Sequence, residues 1–323
     1  MRIRSQCGSR SGGRHGFQRG ITLIELMVAL VLGLLVVGAA IGIFASNRQA
    51  YRATENLGRV QENARVSFEL MARGVREAGG NSCDSNLPVA NVVNGATTIW
   101  WTNWNVPVFG FEGGTMPGSL AGTDAIQVLS GGSGDAALAS HNAAATQFTL
   151  SNVNHGFVTN DVLMICDPVQ LSIFRASGVA GAVVGHAAAG GNCQNSLGLL
   201  PGGECLGAPP YTHTRNAVVT RLSASRWFIA ANGRGTNSLF QVVSGTPRQE
   251  IAEGVEDMQI TYLVPGVAAA VDSYVNAGVV GNWGQVRAVR FVLTLDSQDR
   301  VGTDGNPISR QMIHVVTLRN RNA

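Results

Sequence analysis

The chain has 323 residues, of which 41 are glycine and 13% are charged, and this length allows one large domain or two small ones beside a membrane helix. All 23 basic residues are arginine, which excludes a phosphate-binding glycine loop because that loop requires a lysine. Five arginines and no acids lie in residues 1–20. In the rest of the chain 18 arginines face 20 acids, a net charge of −2 that leaves no basic patch for direct contact with nucleic acid.

An apolar segment follows this basic leader, and residues 1–20 are typical of a targeting sequence. Residues 26–45 contain no charged or strongly polar side chain. At about 1.5 Å per helical residue they match the ~30 Å hydrocarbon core of a bilayer. We therefore predict that residues 21–45 form the transmembrane half of an N-terminal helix. Glu25 lies one turn inside it, and an acid within a membrane costs on the order of 3 kcal/mol and calls for a partner.

Two cleavage positions are open. A cut after Ala40 would follow the small residues 38–40 and remove the apolar core, as in an ordinary secretory signal. A cut between Gly20 and Ile21 would keep the core and create a cationic amine one helical turn from Glu25. The position of Glu25, fifth from that junction, favours the second cut. The alternative for Glu25 is that its side chain merely reaches the lipid headgroups.

The stretch RGITLIEL at residues 19–26 resembles the class III signal of type IV pilins and type II secretion pseudopilins. The resemblance implies that prepilin peptidase cleaves after Gly20 and that Ile21 is N-methylated. It also implies that Glu25 pairs with the Ile21 amine of a neighbouring subunit, which would offset the membrane cost of both charges. This chain departs from the family in two ways. Its first mature residue would be Ile, where the family more often has Phe or Met, and its leader is longer than the family's.

Residues 46–79 continue the helix with a different pattern. Apolar side chains recur at spacings of three and four residues, and arginines and glutamates fill the other faces, so we predict an amphipathic half that packs on a globular head. Gly79 and Gly80 supply the stop. The apolar stripe consists of Ala50, Ala53, Leu57, Val60, Ala64, Phe68, Met71, Val75 and Ala78.

The remaining residues, 80–323, are predicted to form a β-rich periplasmic head. Short strand-like runs occur without βαβ alternation, which favours an antiparallel sheet. Two long irregular inserts, at about 81–123 and 177–214, interrupt the pattern. The predicted strands are 125–129, 147–150, 161–166, 170–175, 217–222, 226–231, 239–243, 255–264, 286–295 and 311–318.

Four cysteines remain once Cys7 in the leader is set aside: Cys83, Cys166, Cys193 and Cys205. No Cys-x-x-Cys pair or histidine pair at zinc-ligand spacing accompanies them. Behind a membrane anchor, four cysteines suggest two disulfides in an oxidising compartment, and three connectivities are open. The short, local loop favours a bond between Cys193 and Cys205, which leaves Cys83 for Cys166.

The C-terminal third is similar to the PilW-type minor pilins. The similar stretches are EGVEDMQITY at 253–262, WGQVRAVR at 283–290 and VTLRN at 316–320. The resemblance implies an α+β, type IV pilin-like fold with a long N-terminal helix packed on an antiparallel sheet. It also implies a minor pilin that primes pilus assembly and is located at the tip. The J-type minor pseudopilins of type II secretion are related and stay an alternative.

The same resemblance implies partners and a location. The partners would be other minor pilins, the major pilin, a tip adhesin, the prepilin peptidase and the inner-membrane assembly platform. The chain would cross the inner membrane once, with its head in the periplasm, and reach the cell surface within the pilus. A periplasmic hydrolase or sugar-binding domain on a signal anchor is the alternative of a different class.

The residues give an enzyme little support, and we expect no catalytic activity and no cofactor. The stretch 131–135 fails the Gly-x-Ser-x-Gly pattern at its last position. Beyond the leader, the histidines are scattered along the sequence: His141, His155, His186, His213 and His314.

Two further groups are candidate sites. Trp100, Trp101 and Trp104 could form an exposed patch for a partner, or could close over the apolar stripe of the helix. Asp296, Asp299 and Asp304 form a weak candidate calcium site in a predicted hairpin loop, because calcium prefers oxygen ligands. Their spacing matches no EF-hand, so a solvated turn is favoured.

Overall fold

The computed structural model describes residues 20–84, 86–132, 134–199, 209–268 and 271–321. The chain divides into two compact units, Met1–Thr54 and Glu55–Ala323. The boundary falls inside the helix α1 (Leu23–Glu77). The long N-terminal helix and the antiparallel-rich sheets described below confirm the predicted α+β fold class.

In the first unit, the described residues form the beginning of α1. Every residue from 20 to 52 is exposed, although most of the side chains up to Phe44 are apolar. By length and composition the helix is able to cross a membrane, and its most apolar window has no buried residue. The apolar side chains of this half of α1 are therefore uncovered among the described residues.

In the second unit, residues 55–77 of α1 bury one stripe, which includes Val60, Phe68 and Met71, in the largest hydrophobic core. The exposed side carries three ion pairs at a spacing of four residues, Arg59–Glu55, Arg65–Glu69 and Arg73–Glu77, and because water screens such pairs they add little to stability. The predicted stop is where the helix ends. Gly79 is left-handed (φ 72°), and its N–H donates to the Leu129 carbonyl over 2.8 Å.

Two sheets complete the second unit, and all pairings among the described strands are antiparallel except β1–β7. The first sheet contains β1 (Val89–Asn91), β2 (Val108–Phe111), β3 (Ala125–Gly131), β4 (Ala136–Asn142), β5 (Gln147–Leu150), β6 (Val162–Cys166), β7 (Leu171–Arg175), β8 (Gly178–Ala180), β9 (Val183–Gly185), β10 (Val218–Ala231), β11 (Asn237–Val243) and β12 (Gln249–Glu253). The second contains β13 (Val255–Ala268), β14 (Val271–Val275), β15 (Ala288–Asp296) and β16 (Ser309–Thr317) in the order β14-β13-β15-β16.

The strand β10 joins the parts of the first sheet. Its first residues pair with β4 and β6, and its later residues pair with β3 and β11. The sequence predicts two separate strands here, 217–222 and 226–231. The structure makes them one strand of 14 residues, since the backbone of 223–225 pairs with β3 whatever the side chains are.

The two predicted inserts are not irregular throughout. The first contains β1 and β2, and the second contains β8 and β9. All four strands are only three or four residues long and pair with strands of the first sheet. Runs this short carry too little alternation to stand out from the surrounding glycines.

Candidate functional site

The predicted processing site lies just before α1. Gly20 and Ile21 are exposed and precede the helix, and Glu25 is exposed in its first turn. Thr22 caps the helix: its Oγ1 accepts the Glu25 backbone N–H over 3.3 Å, and its carbonyl accepts the Leu26 N–H over 3.2 Å. Threonine followed three residues later by glutamate is the capping-box pattern. Sequence reasoning missed this role of Thr22, although the pattern was present to be found.

The structure gives no packing reason for glycine at position 20. A Cβ built there would meet no atom within 4 Å, and the same holds for Gly33, Gly38 and Gly42. A side chain at Gly20 would therefore leave the described fold unchanged. A substitution at Gly20 can therefore test cleavage by a processing enzyme without disturbing the fold.

Of the four cysteines beyond the leader, three lie in the described part of the chain. Cys83 and Cys166 form a disulfide with a Cα–Cα distance of 6.1 Å, which ties the segment after α1 to the end of β6. Cys193 is also disulfide-bonded. Cys205 and Cys7 lie outside the described residues, so the bond between Cys193 and Cys205 stays a prediction.

The three tryptophans do not form one exposed patch, and they do not cover the stripe of α1. Trp104 is only 9% exposed, and Trp100 and Trp101 are half-buried. All three pack on a different hydrophobic cluster, which contains Leu129 of β3 and Met164 of β6. The spacing of the tryptophans in the sequence did not indicate which hydrophobic cluster they would join.

The candidate calcium ligands do not converge. Asp299 accepts from the Asn56 side chain over 3.1 Å, and Asp304 accepts from the Asn306 backbone and side chain over 3.1 and 3.0 Å. Among the described residues, no group of three or more His, Cys, Asp or Glu side chains could hold a metal ion. Asp299 is therefore bonded to α1, and Asp304 is bonded within its own turn.

Three of the five histidines listed above lie together, which their sequence positions did not indicate. His141 Nε2 lies 3.1 Å from His186 Nε2, and His213 Nδ1 lies 3.1 Å from Asp167 Oδ2. His186, His213 and Asp167 are each at most 2% exposed. We call His141, His186, His213 and Asp167 the histidine cluster. They come from β4, the end of β9, the segment before β10 and the end of β6.

The hydrogen bonds of the histidine cluster assign its tautomers. His141 Nδ1 accepts the His213 backbone N–H over 3.0 Å, so the proton of the neutral His141 ring is on Nε2 and points to His186 Nε2. A metal would need the lone pair that this proton occupies. The pair is therefore a hydrogen bond between neutral rings and not a pair of metal ligands.

One part of the cluster has the connectivity of a hydrolase triad. Ser172 Oγ lies 2.8 Å from His213 Nε2, whose Nδ1 faces Asp167. Ser172 is fully buried, and its Oγ also lies 2.9 Å from the Leu197 carbonyl. Among the described residues, the Ser172 hydroxyl is therefore enclosed. The arrangement instead fastens the chain around Leu197 and His213 to the strands below.

Burial sets the protonation of the cluster. It lowers the pKa of His141, His186 and His213 to about 4 each, because a charged ring would lose its hydration. Burial alone would raise the pKa of Asp167, but hydrogen bonds from the Val169 N–H, from Tyr211 and from the Gln170 N–H lower it overall. At neutral pH the cluster therefore contains three neutral rings and one carboxylate.

Comparisons with known proteins match both ends of the chain. Residues 226–318 match the family described as type IV pilus-assembly protein W, and residues 16–41 match the prokaryotic N-terminal methylation motif. Among solved structures, the chain is similar to a type IV-like pilin from Thermus thermophilus, with 11% identity and a TM-score of 0.32, over 81% of this chain and 98% of that one. No curated protein matches the chain.

The two family matches fall on structurally separate features. The methylation motif covers the capped start and apolar half of α1, and the PilW match covers the second half of β10 through β16. The apolar helix and the motif fit a membrane anchor. Proteins of this kind interact with other pilins and with the pilus machinery. Together the two matches, on residues 16–41 and 226–318, make the chain similar to pilus-assembly proteins that carry the methylation motif, which supports a structural subunit of a pilus.

Proposed function

We propose that the chain is a minor pilin that primes type IV pilus assembly and is located at the pilus tip. It is made as a prepilin in the inner membrane, with residues 1–20 as leader, 21–45 as membrane half and 46–79 as amphipathic half of the helix. Residues 80–323 form the periplasmic head. Prepilin peptidase cleaves after Gly20, Ile21 is N-methylated, and the subunit then enters the pilus at the cell surface.

The observation that carries this proposal is the uninterrupted exposure of the apolar half of α1. Large apolar side chains there are 53–80% exposed, with Leu26 and Leu23 at the two limits. A soluble monomer rarely leaves an apolar surface of this length in water. Lipid before assembly and neighbouring helices after it would cover the same surface in turn.

Glu25 fits an assembly role because none of the described residues forms an ion pair with its side chain. Thr22 accepts only the Glu25 backbone N–H, and the carboxylate is exposed. Cleavage after Gly20 would create an amine at Ile21, the group that a carboxylate in a membrane needs. Pairing between staggered subunits would neutralise both charges and set the axial register.

The J-type minor pseudopilin of type II secretion is the second candidate, since the methylation motif fits it equally well. Shearing cells separates the two proposals: a pilus subunit should be recovered with sheared pili, whereas a pseudopilin should stay with the cells and its loss should block secretion. A periplasmic hydrolase is less supported, because the one triad-like arrangement described above is buried.

Mass spectrometry of the mature N-terminus tests the proposal directly. We expect a first residue of N-methylated Ile21. Retention of residues 1–20, or a start near Ile41, would contradict it. Gly20→Leu should leave an uncleaved precursor, and Gly33→Leu is the matched control because that glycine also has no atom within 4 Å of a built Cβ. The control should be processed normally.

A further inference from the structure

Arg226 lies between two aromatic rings on one face of the first sheet. Its guanidinium carbon is 4.2 Å from the ring centre of Trp100 and 5.2 Å from that of Phe111. Its neighbour Trp227 points the other way, into the core that contains the stripe of α1. Because side chains alternate along a strand, Arg226 lies on the face of the sheet opposite α1.

Two further residues complete this surface. Gln127 of β3 pairs with Arg226 of β10 on one side and with Phe109 of β2 on the other. Its side-chain oxygen accepts from Arg226 Nε over 2.9 Å. The rings of Phe109 and Phe111 are 4.9 Å apart and nearly perpendicular. We call Trp100, Phe109, Phe111, Gln127 and Arg226 the Arg226 platform.

The charge of the platform is not balanced within the described part of the chain. No described carboxylate forms an ion pair with Arg226. The acids next to the platform in sequence are used elsewhere: Glu112 accepts from Asn276 and from the Gly278 N–H, and Asp124 accepts from the Gly113 and Ile260 N–H groups. Burial lowers the pKa of Arg226 to about 10, so the group is still a cation at neutral pH.

The two terminal nitrogens of the half-buried Arg226 have no hydrogen-bond partner among the described residues. Of the guanidinium donors, only Nε has a described partner, and that partner is a neutral amide. The planar fork of an arginine matches a carboxylate in two parallel hydrogen bonds. The half-buried rings of Trp100, Phe109 and Phe111 around it would exclude water from such a pair.

We propose that the Arg226 platform docks a protein partner within the pilus, which inserts an aspartate or glutamate flanked by apolar side chains. This inference rests on the proposed function for the presence of the partner. Arginine and tryptophan in partly desolvated surroundings are the residue types that dominate protein interfaces. A single cation is too little for a nucleic-acid backbone, which needs several.

Photo-crosslinking in cells that assemble pili tests the proposal. Val242 lies beside Arg226 on β11 without belonging to the platform, so Val242→p-benzoylphenylalanine in the full-length chain is the probe. We expect a crosslinked product in sheared pili, and the crosslinked peptide should contain an acid next to apolar residues. A crosslinked segment without an acid, or no crosslink at all, would overturn the proposal.

Variants of the platform supply the charge test. Arg226→Gln should reduce the crosslink by about tenfold, the loss of one interface anchor, and Arg226→Lys should reduce it less. Arg226→Glu should lose the crosslink, and replacing the partner's acid by arginine should restore it. The control is Arg310→Gln, since Arg310 is an exposed arginine on β16 that forms no ion pair with the described residues. An unchanged crosslink in Arg226→Gln would contradict the inference.

Gln127→Glu decides the question should Arg226→Gln fail to fold. The new carboxylate would lie where the amide now accepts from Arg226 and would occupy the cation within the chain. We expect a stable protein with a crosslink reduced about as strongly as in Arg226→Gln. If the wild-type chain is recovered in sheared pili but Gln127→Glu leaves the amount of crosslink unchanged, the docking role of the platform is refuted and the proposed function is not. Absence of the wild-type chain from pili would instead refute the proposed function.

Discussion

The two halves of α1 use apolar side chains in different ways. Between residues 23 and 52 no side chain is buried, whereas buried positions recur from Asn56 to Val75. Residues 26–45 are apolar on all sides, whereas residues 55–77 are apolar on one stripe. A helix that is apolar all round needs apolar surroundings, and a striped one needs a single packed face. The pattern, more than the apolar content, therefore decides whether the chain itself or its surroundings cover the helix.

Acidification should affect the head most and the apolar half of α1 least. The pKa of each buried histidine of the cluster is about 4, against about 6.5 when unfolded, so its contribution to stability is complete above about pH 6.5 and is lost as the pH falls towards 4. For the buried His186 and His213 each shift corresponds to on the order of 3 kcal/mol; the half-buried His141 contributes less because water screens it, and the coupled total is several kcal/mol.

Urea unfolding of the full-length protein in detergent micelles, at a series of pH values, measures this effect. The unfolding free energy of the head should fall between pH 6.5 and 4.5, while the helical signal of the apolar half stays constant. His186→Phe removes one titrating ring and should make the dependence shallower. A head equally stable at pH 7.5 and pH 4.5 would contradict the neutral assignment of the cluster.

Truncating one apolar side chain in each half of α1 should change the unfolding free energy of the head by different amounts. Met71 is fully buried against the head, and Leu34 is 78% exposed. Met71→Ala should cost about 2–5 kcal/mol because it removes buried surface and leaves a cavity. Leu34→Ala should change the unfolding free energy of the head by less than about 0.5 kcal/mol. Equal effects of the two substitutions in urea unfolding would argue that both halves pack on the head.

The cap of α1 should give the smallest effect. Thr22→Ala removes the oxygen that accepts the Glu25 N–H, and loss of such a cap costs about 1 kcal/mol. Hydrogen exchange in micelles should become faster at the first helical residues and stay unchanged beyond Glu55. Thr54→Ala is the control, because that hydroxyl bonds to the Ala50 carbonyl within the helix and caps no terminus. If Thr22→Ala leaves hydrogen exchange at the start of α1 unchanged, Thr22 does not cap the helix.

The sequence predicted those features that depend on local pattern. The extent of the helix and its end at Gly79 follow from apolar spacing and from glycine's access to positive φ. The histidine cluster was out of reach, because His141 and His213 are 72 positions apart and meet only through sheet pairing. The Arg226 platform joins three strands and a loop, and no local pattern in the sequence indicates that Trp100 lies on Arg226.

The central claim is that Glu25 acts through its charge during assembly and not through the fold of the helix. Glu25→Gln tests this most directly, because glutamine also fits the third helical position of a capping box and so removes only the charge. The matched control is Glu62→Gln in the amphipathic half, where the acid is exposed. The measurement is the fraction of the chain recovered in sheared pili, beside the fraction in the membrane. We expect Glu25→Gln to reach the membrane but to be lost from pili, and Glu62→Gln to behave as wild type. Normal recovery of Glu25→Gln in pili would contradict the account.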